Sequence, residues 1–410
     1  MIDSADRFLS HAGRSMKRSS IREILKLLQK PGMISFAGGL PAPETFPVTD
    51  LSEITLEILE KHGAEALQYG TTEGDPDLRR MLVLRHQKQG FKIQTENLII
   101  TTGSQQGLDL ISRVFINPGD YVLCGLPSYL GAINTFLSYG AKLKGITLDE
   151  SGIRTDELEE TVVRLKDYGK KLKLLYVVPD FQNPSGITAP ESRRSQLINI
   201  AEKHDLLIIE DSPYREIRFE GKTQRTMYEL DYTGRVLTLF TFSKIFAPGF
   251  RVAWMIGNPV LLDKIIMAKQ TSDLCTSPFV QKIIAGYIEK DLLETNIHKT
   301  IELYRHRRDH MIGCLRKYMP DGVSWTEPSG GLFLFVTLPD GMDTGTIFEK
   351  ALEKKVAFVS GSTFFCNNSG ANTMRLNFSF MNDIGIEEGV KRLAEVIRSQ
   401  KLKAEPRHKG

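Results

Sequence analysis

The 410-residue sequence predicts an α/β fold, with a mostly parallel sheet in a large domain and a smaller α+β domain after it. Three observations carry that prediction. From residue 97 to 256 short apolar runs alternate with helical patterns, as βαβ units require. Most of these runs are continuously apolar rather than alternating, which suits strands covered by helices on both faces. Beyond residue 278 long charged helices come first and alternating β segments follow, the order expected of helices on one face of an antiparallel sheet. The chain is also too long for one ordinary core. The expected division is an N-terminal arm and helix over 1–48, a large domain over 49–285 and a small domain over 286–410.

In chain order, Ser20-Ile-Arg-Glu23 is a capping box that opens a helix, and Pro31-Gly32 stops it. A loop, Gly38-Gly39-Leu40-Pro41-Ala42-Pro43, follows. The next helix starts near Thr49, and another at Asp75-Pro76, where proline is tolerated in the first turn; Gly90 closes it. Strands are predicted at 98–102, 121–126, 174–178, 206–210, 236–240 and 252–256, with a helix at 104–116 ended by Asn117-Pro118-Gly119. In the second half helices cover about 278–319, strands 323–325, 332–338, 356–359 and 374–380, and a last helix 383–400.

Composition narrows the function classes. Apolar residues at 41% and charged residues at 25% are ordinary for a globular chain in water. A net charge of +3 gives no reason to expect nucleic acid or an anionic membrane as partner. No apolar run reaches the ~20 residues of a membrane span, and the first residues contain no apolar signal-peptide core. Cys124, Cys275, Cys314 and Cys366 form no C-x-x-C pair, which fits a reduced, cytoplasmic chain better than a disulfide scaffold. His306 and His310 are four apart on a predicted helix, but Arg305, Arg307 and Arg308 crowd them. A solvated cationic face is expected there, and no metal site.

Ligands of open α/β sheets bind at the carboxyl ends of the strands. Four segments fall at such ends: Thr101-Thr-Gly-Ser-Gln105, Pro179-Asp-Phe-Gln-Asn-Pro-Ser-Gly186, Glu210-Asp-Ser-Pro-Tyr214 and the stretch from Thr241 to Arg251. Lys244 directly follows a buried run. A lone lysine is ordinarily a surface residue, yet a partly desolvated one has a lowered pKa and can condense with an aldehyde. Asp211 after its strand is either a turn former or a carboxylate that pairs with a protonated pyridine nitrogen. Gly103-Ser104-Gln105 opens a helix where backbone N–H groups favour a phosphate, a signal found in many folds. Asn183-Pro184 by itself marks a turn.

The ordered set resembles the fold-type-I pyridoxal-phosphate aminotransferases over nearly the whole chain: Thr-Gly-Ser-Gln-Gln, Pro-Ser-Tyr129, Gln-Asn183-Pro-Ser-Gly, Glu-Asp211-Ser-Pro-Tyr214, Ser243-Lys244 with Arg251, and Arg375-Leu-Asn-Phe. Ser20-Ile-Arg-Glu-Ile-Leu-Lys-Leu and Ser35-Phe-Ala-Gly-Gly-Leu-Pro-Ala-Pro-Glu44 are similar to the subgroup of 2-aminoadipate and kynurenine aminotransferases. The resemblance implies a seven-stranded, mostly parallel sheet, pyridoxal 5′-phosphate as cofactor and a homodimer with shared active sites. It implies amino transfer from 2-aminoadipate, glutamate, leucine or aromatic amino acids to a 2-oxo acid such as 2-oxoglutarate.

Residue by residue, the resemblance implies that Lys244 binds the cofactor aldehyde and shuttles the substrate α-proton. Asp211 would pair with the ring nitrogen, Asn183 and Tyr214 with the phenolic oxygen, and Tyr129 would stack on the ring. Gly103, Ser104, Gln105, Ser243 and Arg251 would hold the phosphate with Thr241, and Tyr69 would reach the phosphate of the neighbouring subunit. Arg375 would grip the substrate α-carboxylate, Gly39 would lie beneath the substrate, and Arg22 would meet a side-chain carboxylate. Two departures are visible: the family often has Gly-Ser-Phe-Ser-Lys where this chain has Phe240-Thr-Phe-Ser-Lys, and Gly107 stands where Ala is usual.

Rival readings remain. A nucleotide-binding enzyme is disfavoured by the lack of G-x-G-x-x-G and G-x-x-x-x-G-K-[ST]. A transcription regulator would need a DNA-binding extension, for which the first helix near residue 20 leaves no room. A lyase or decarboxylase shares the chemistry up to the first carbanion, although Arg375 favours transamination. Arg375 on a solvated strand face and Tyr69 in the core are the ordinary alternatives for those two residues.

Overall fold

The structure, a computed structural model, describes residues 6–10, 13, 14, 16 and 32–404. The predicted helix over 20–30, and Arg22 with it, lies outside the described residues. From residue 32 onward the chain forms β1 (Ile34–Ser35), α1 (Val48–Ala66) and α2 (Pro76–Lys88). Asp75 starts α2 by accepting from the backbone N–H groups of Asp77 and Leu78, a cap worth about 1 kcal/mol.

The large sheet is built from β2 (Leu98–Thr101), β3 (Tyr121–Leu126), β4 (Lys142–Asp149), β5 (Gly152–Ile153), β6 (Leu172–Val177), β7 (Leu207–Asp211), β8 (Val236–Thr241) and β9 (Ala253–Ile256). Its helices are α3 (Ser104–Phe115), α4 (Leu130–Ser138), α5 (Thr155–Asp167), α6 (Glu191–Lys203), α7 (Met227–Leu230) and α8 (Pro259–Gln270). The strand order is β2-β9-β8-β7-β6-β3-β4-β5. Neighbours from β4 to β8 are parallel, whereas β9 runs antiparallel to both β8 and β2. The expected seven strands therefore become eight, because two-residue β5 folds back on β4. β4 itself is half-solvated next to that edge, and Lys142, Lys144 and Thr147 break up its apolar run.

Side chains alternate between two cores across this sheet. Leu123, Leu175, Ile208 and Val236 face one core, and Val122, Leu174, Ile209 and Leu237 face the other. Gly107 has a packing reason that propensity does not reveal. A Cβ there would lie 2.6 Å from Leu239 Cδ2, so the bare backbone lets α3 settle onto β8.

Beyond α8 come α9 (Pro278–Glu289), α10 (Leu292–Tyr318), α11 (Thr344–Glu353) and α12 (Asp383–Ala404). With them go β10 (Ser324–Trp325), β11 (Phe333–Thr337), β12 (Val356–Ala357), β13 (Val359–Ser360) and β14 (Thr373–Asn377). An antiparallel sheet has the order β10-β11-β14-β13. The strand predicted at 356–359 divides: β12 pairs with β1 in parallel, and β13 pairs with β14.

The cationic face expected on α10 is only partly solvated. Arg307 is buried between the Ser379 carbonyl and Glu44, and Arg308 is buried against the Pro328 carbonyl and Glu220. Exposed His306 pairs with Asp383 at 2.8 Å. Among the described residues no helix is long and apolar enough to cross a membrane.

Candidate active site

The carboxyl ends of β2, β6, β7 and β8 meet at one rim of the large sheet, and the start of β9 joins them. Ala253 of β9 stands opposite both Thr101 and Thr241 in the register. Arg251, two residues before Ala253, is thereby brought to the first turn of α3 and to the turn after β8. Gly103 makes this closeness possible. Its φ is +77°, and a Cβ would lie 2.3 Å from Arg251 Nη2. The α3 N-terminus, Ser104, Ser243 and the Arg251 guanidinium form an anion cup, since free helix N–H groups and a fixed cation both favour a phosphate. Arg251 Nη1 lies 3.4 Å from Ser243 Oγ. Thr241 supports this turn from within: its hydroxyl donates to Ser243 Oγ at 2.9 Å and accepts from the Ser243 N–H at 3.1 Å.

Lys244 projects into the same cavity, and its Nζ donates to the Gly39 carbonyl at 2.7 Å. Burial, with the charges of Arg375 and Arg251, lowers its pKa to about 8. At the end of β7 Asp211 is buried, and burial pushes its carboxyl up to about 6 against the lowering effect of Tyr176, whose hydroxyl donates to Oδ2 at 2.7 Å. Asp211 Oδ1 is buried and, among the described residues, has no hydrogen-bond partner. Asn183 binds two neighbours at once: its Nδ2 donates to Tyr214 Oη at 3.2 Å, and its Oδ1 accepts from Arg375 Nη1 at 2.8 Å. Tyr129 lines the cavity over Gly131, where a Cβ would come within 2.5 Å of its ring.

Arg375 of β14 is 2% exposed, so the solvated strand face does not exist. Its Nη2 donates to the Ala37 carbonyl at 2.6 Å, and its Nε has no partner among the described residues. Phe333 and Phe364 lie 4.1 and 5.0 Å from its guanidinium carbon. Among the described residues no carboxylate pairs with it, and burial lowers its pKa to about 10. A buried cation held only by neutral oxygens and rings is costly; a bound carboxylate would relieve that cost.

Twelve of the expected residues line this one cavity: Gly39, Ser104, Gln105, Tyr129, Asn183, Asp211, Tyr214, Thr241, Ser243, Lys244, Arg251 and Arg375. Gln105 is exposed there, and its amide donates to Thr135 Oγ1 at 2.6 Å. Tyr69 is 78% exposed and does not line the cavity of its own chain, so the core alternative for it fails. Sequence reasoning missed Phe333, Phe364 and Tyr176. Only the last left a signal: a tyrosine inside a buried apolar strand needs a partner for its hydroxyl.

The donor set fits pyridoxal 5′-phosphate. The unpartnered Asp211 oxygen suits a ring N–H, the cup suits a phosphate, and Lys244 suits an aldehyde. With a buried arginine beside them, these features suit a pyridoxal-phosphate enzyme that handles amino acids. The chain matches the family Aminotransferase class I and II over residues 33–393 and belongs to it. It is 47% identical over 399 residues to the aromatic-amino-acid aminotransferase 1 of Thermococcus litoralis, covering 97% of this chain and 96% of that one. A kynurenine aminotransferase of Pyrococcus horikoshii, solved with PMP, superposes with a TM-score of 0.93 at 45% identity, covering 97% and 99% of the two chains. The alpha-aminoadipate aminotransferase of Thermus thermophilus, complexed with N-(5′-phosphopyridoxyl)-L-leucine, gives 0.90 at 35% identity, covering 98% and 100%. The protein is a pyridoxal-phosphate-dependent aminotransferase, and the lyase or decarboxylase alternative falls away.

Proposed function

We propose that Lys244 binds the cofactor aldehyde and then, released by substrate, carries the α-proton, and that Arg375 holds the substrate α-carboxylate through its guanidinium fork. The observation that carries this reading is the buried Arg375 cation, which shares the cavity with Lys244 and adds to the burial that lowers the Lys244 pKa. When bound, the cofactor supplies a ring that absorbs the electron pair left at the substrate α-carbon. Asp211 keeps the ring nitrogen protonated. Asn183 and Tyr214 donate to the phenolic oxygen, and Tyr129 covers the ring face. Gly103, Ser104, Gln105, Thr241, Ser243 and Arg251 secure the phosphate, and Gly39 borders the substrate. Asn183 links the two halves of the site, because one side chain touches both Tyr214 and Arg375.

The substrates in this proposal are aromatic, 2-aminoadipate- and glutamate-type L-amino acids, with 2-oxoglutarate as acceptor. The names of the relatives support the aromatic and 2-aminoadipate part of that range. Arg22 is assigned to acidic side chains. Glutamate formed from 2-oxoglutarate across a panel of L-amino acids tests the range, and Arg22→Ala tests the residue. Losing a charge-assisted contact should cut kcat/KM for 2-aminoadipate roughly 10- to 150-fold and leave phenylalanine nearly unchanged. Equal losses on both substrates would remove Arg22 from the site.

The working unit in this proposal is a cytoplasmic homodimer in which Tyr69 completes the neighbouring site. Its support is the outward position of Tyr69, beside Leu67 at 72% exposure. The division into arm (1–48), large domain (49–285) and small domain (286–410) belongs to the same proposal, supported by the separate eight- and four-stranded sheets.

A further inference from the structure

We propose that Tyr176 is a positioning residue for this reaction: its hydroxyl holds Asp211 as an ionised carboxylate aimed at the cofactor ring, so that the proton they share stays on the ring nitrogen. The proposal rests on the reading of Asp211 given above. β6 and β7 are parallel neighbours, and Tyr176 stands beside Ile209 in their register. Ile209 and Asp211, two apart on β7, project from the same face. The Tyr176 side chain therefore leans along that face toward the carboxyl end, where its hydroxyl meets Asp211 Oδ2 at 2.7 Å.

The ring cannot swing away. Tyr176 is 1% exposed and lies edge-on to Phe136, with centroids 5.6 Å apart at 71°. The two carboxylate oxygens thus have separate tasks: Oδ2 is fixed by the phenol, and Oδ1 has no partner among the described residues.

A proton shared by a carboxylate and a pyridine nitrogen sits on the stronger base. Burial makes the Asp211 carboxylate more basic, and the Tyr176 hydrogen bond opposes that change. Without the phenolic donor the carboxylate gains basicity and draws the proton off the ring, which weakens the ring as an electron acceptor. The phenol keeps its own proton, because burial and the neighbouring Asp211 charge raise its pKa well above the usual value. Tyr129 and Tyr214 face the same pair and act in the same direction on Tyr176.

The test uses Tyr176→Phe holoenzyme, which loses one oxygen and keeps the ring against Phe136. One readout is the 15N chemical shift of cofactor labelled at its ring nitrogen; the other is the split of the kinetic effect between kcat and KM. The shift should move toward the unprotonated value. The kcat should fall about tenfold or more, the cost expected for a hydrogen bond to a charged group, with KM within about twofold. With a cofactor analogue that has carbon in place of the ring nitrogen, wild type and variant should give the same residual rate. An unchanged 15N shift, or an equal loss with the analogue, would overturn the proposal and leave Tyr176 a packing residue. Asp211→Asn separates the two readings. If it leaves the 15N signal as in wild type, the Asp211 assignment itself fails. If it moves the signal and Tyr176→Phe does not, only the Tyr176 proposal falls.

Discussion

At Lys244 three influences act on one amine: burial, the Arg375 charge and the Arg251 charge all disfavour the ammonium and bring its pKa to about 8. Only the neutral amine attacks an aldehyde, and for a base with a depressed pKa that form grows as pH rises. Capture of cofactor by the cofactor-free protein should therefore accelerate about tenfold per pH unit up to about 8 and level off above it. Stopped-flow mixing checks this, and a flat profile from pH 6 to 9 would mean that another step controls capture. Borohydride should fix the bound cofactor on Lys244, as peptide mass spectrometry can read, and Lys244→Ala should abolish turnover. For Asp211 the expectation is a separation of effects. Asp211→Asn keeps the shape and removes the charge, so turnover should fall far more than cofactor affinity; near wild-type rates would make Asp211 a structural turn residue.

The element to which the proposal assigns the phosphate is the first turn of α3 with the bare Gly103 before it. A methyl group at Gly103 would meet the Arg251 guanidinium at 2.3 Å and occupy a backbone with φ of +77°. At φ +77° and ψ 159° the backbone lies in a region essentially reserved for glycine, which costs another residue roughly 1–3 kcal/mol, and the displaced guanidinium forfeits a charge-assisted contact of about 1.5–3 kcal/mol. Gly103→Ala should thus weaken cofactor affinity at least about tenfold, while turnover at saturating cofactor changes less. Equilibrium dialysis gives the affinity, and an unaltered value would show that the phosphate is held elsewhere. The same element explains Gly107, where close seating on β8 outweighs the roughly 1 kcal/mol that glycine costs a helix.

For the whole molecule, the exposed Tyr69 predicts that a lone chain is incomplete. Sedimentation should find a dimer or larger, and subunit exchange gives a sharper check. Lys244→Ala and Tyr69→Ala proteins should each be weakly active or inactive. After mixing, random exchange makes half of the dimers hybrid, and each hybrid has one intact site, so about a quarter of all sites should recover. Activity that stays at the sum of the two parents would exclude a shared site.

What the sequence determined by itself was local. Apolar period, proline and glycine punctuation and the residues placed just past each strand act over a few neighbours. They are enough to read the α/β class, the strand ends and the positions of Lys244, Asp211, Asn183 and Arg251. Tertiary structure decided whatever depends on partners distant in the chain. Arg375 became a buried cation only because Asn183, 192 residues away, and Ala37, 338 residues away, close around it. The reversed β9, the added β5 and the division of 356–359 between two sheets are choices of neighbour, and an apolar run does not state which strand it will pair with. The Tyr176–Asp211 contact spans 35 residues and rests on the register of two parallel strands, because a hydroxyl finds its acceptor only after the sheet has formed.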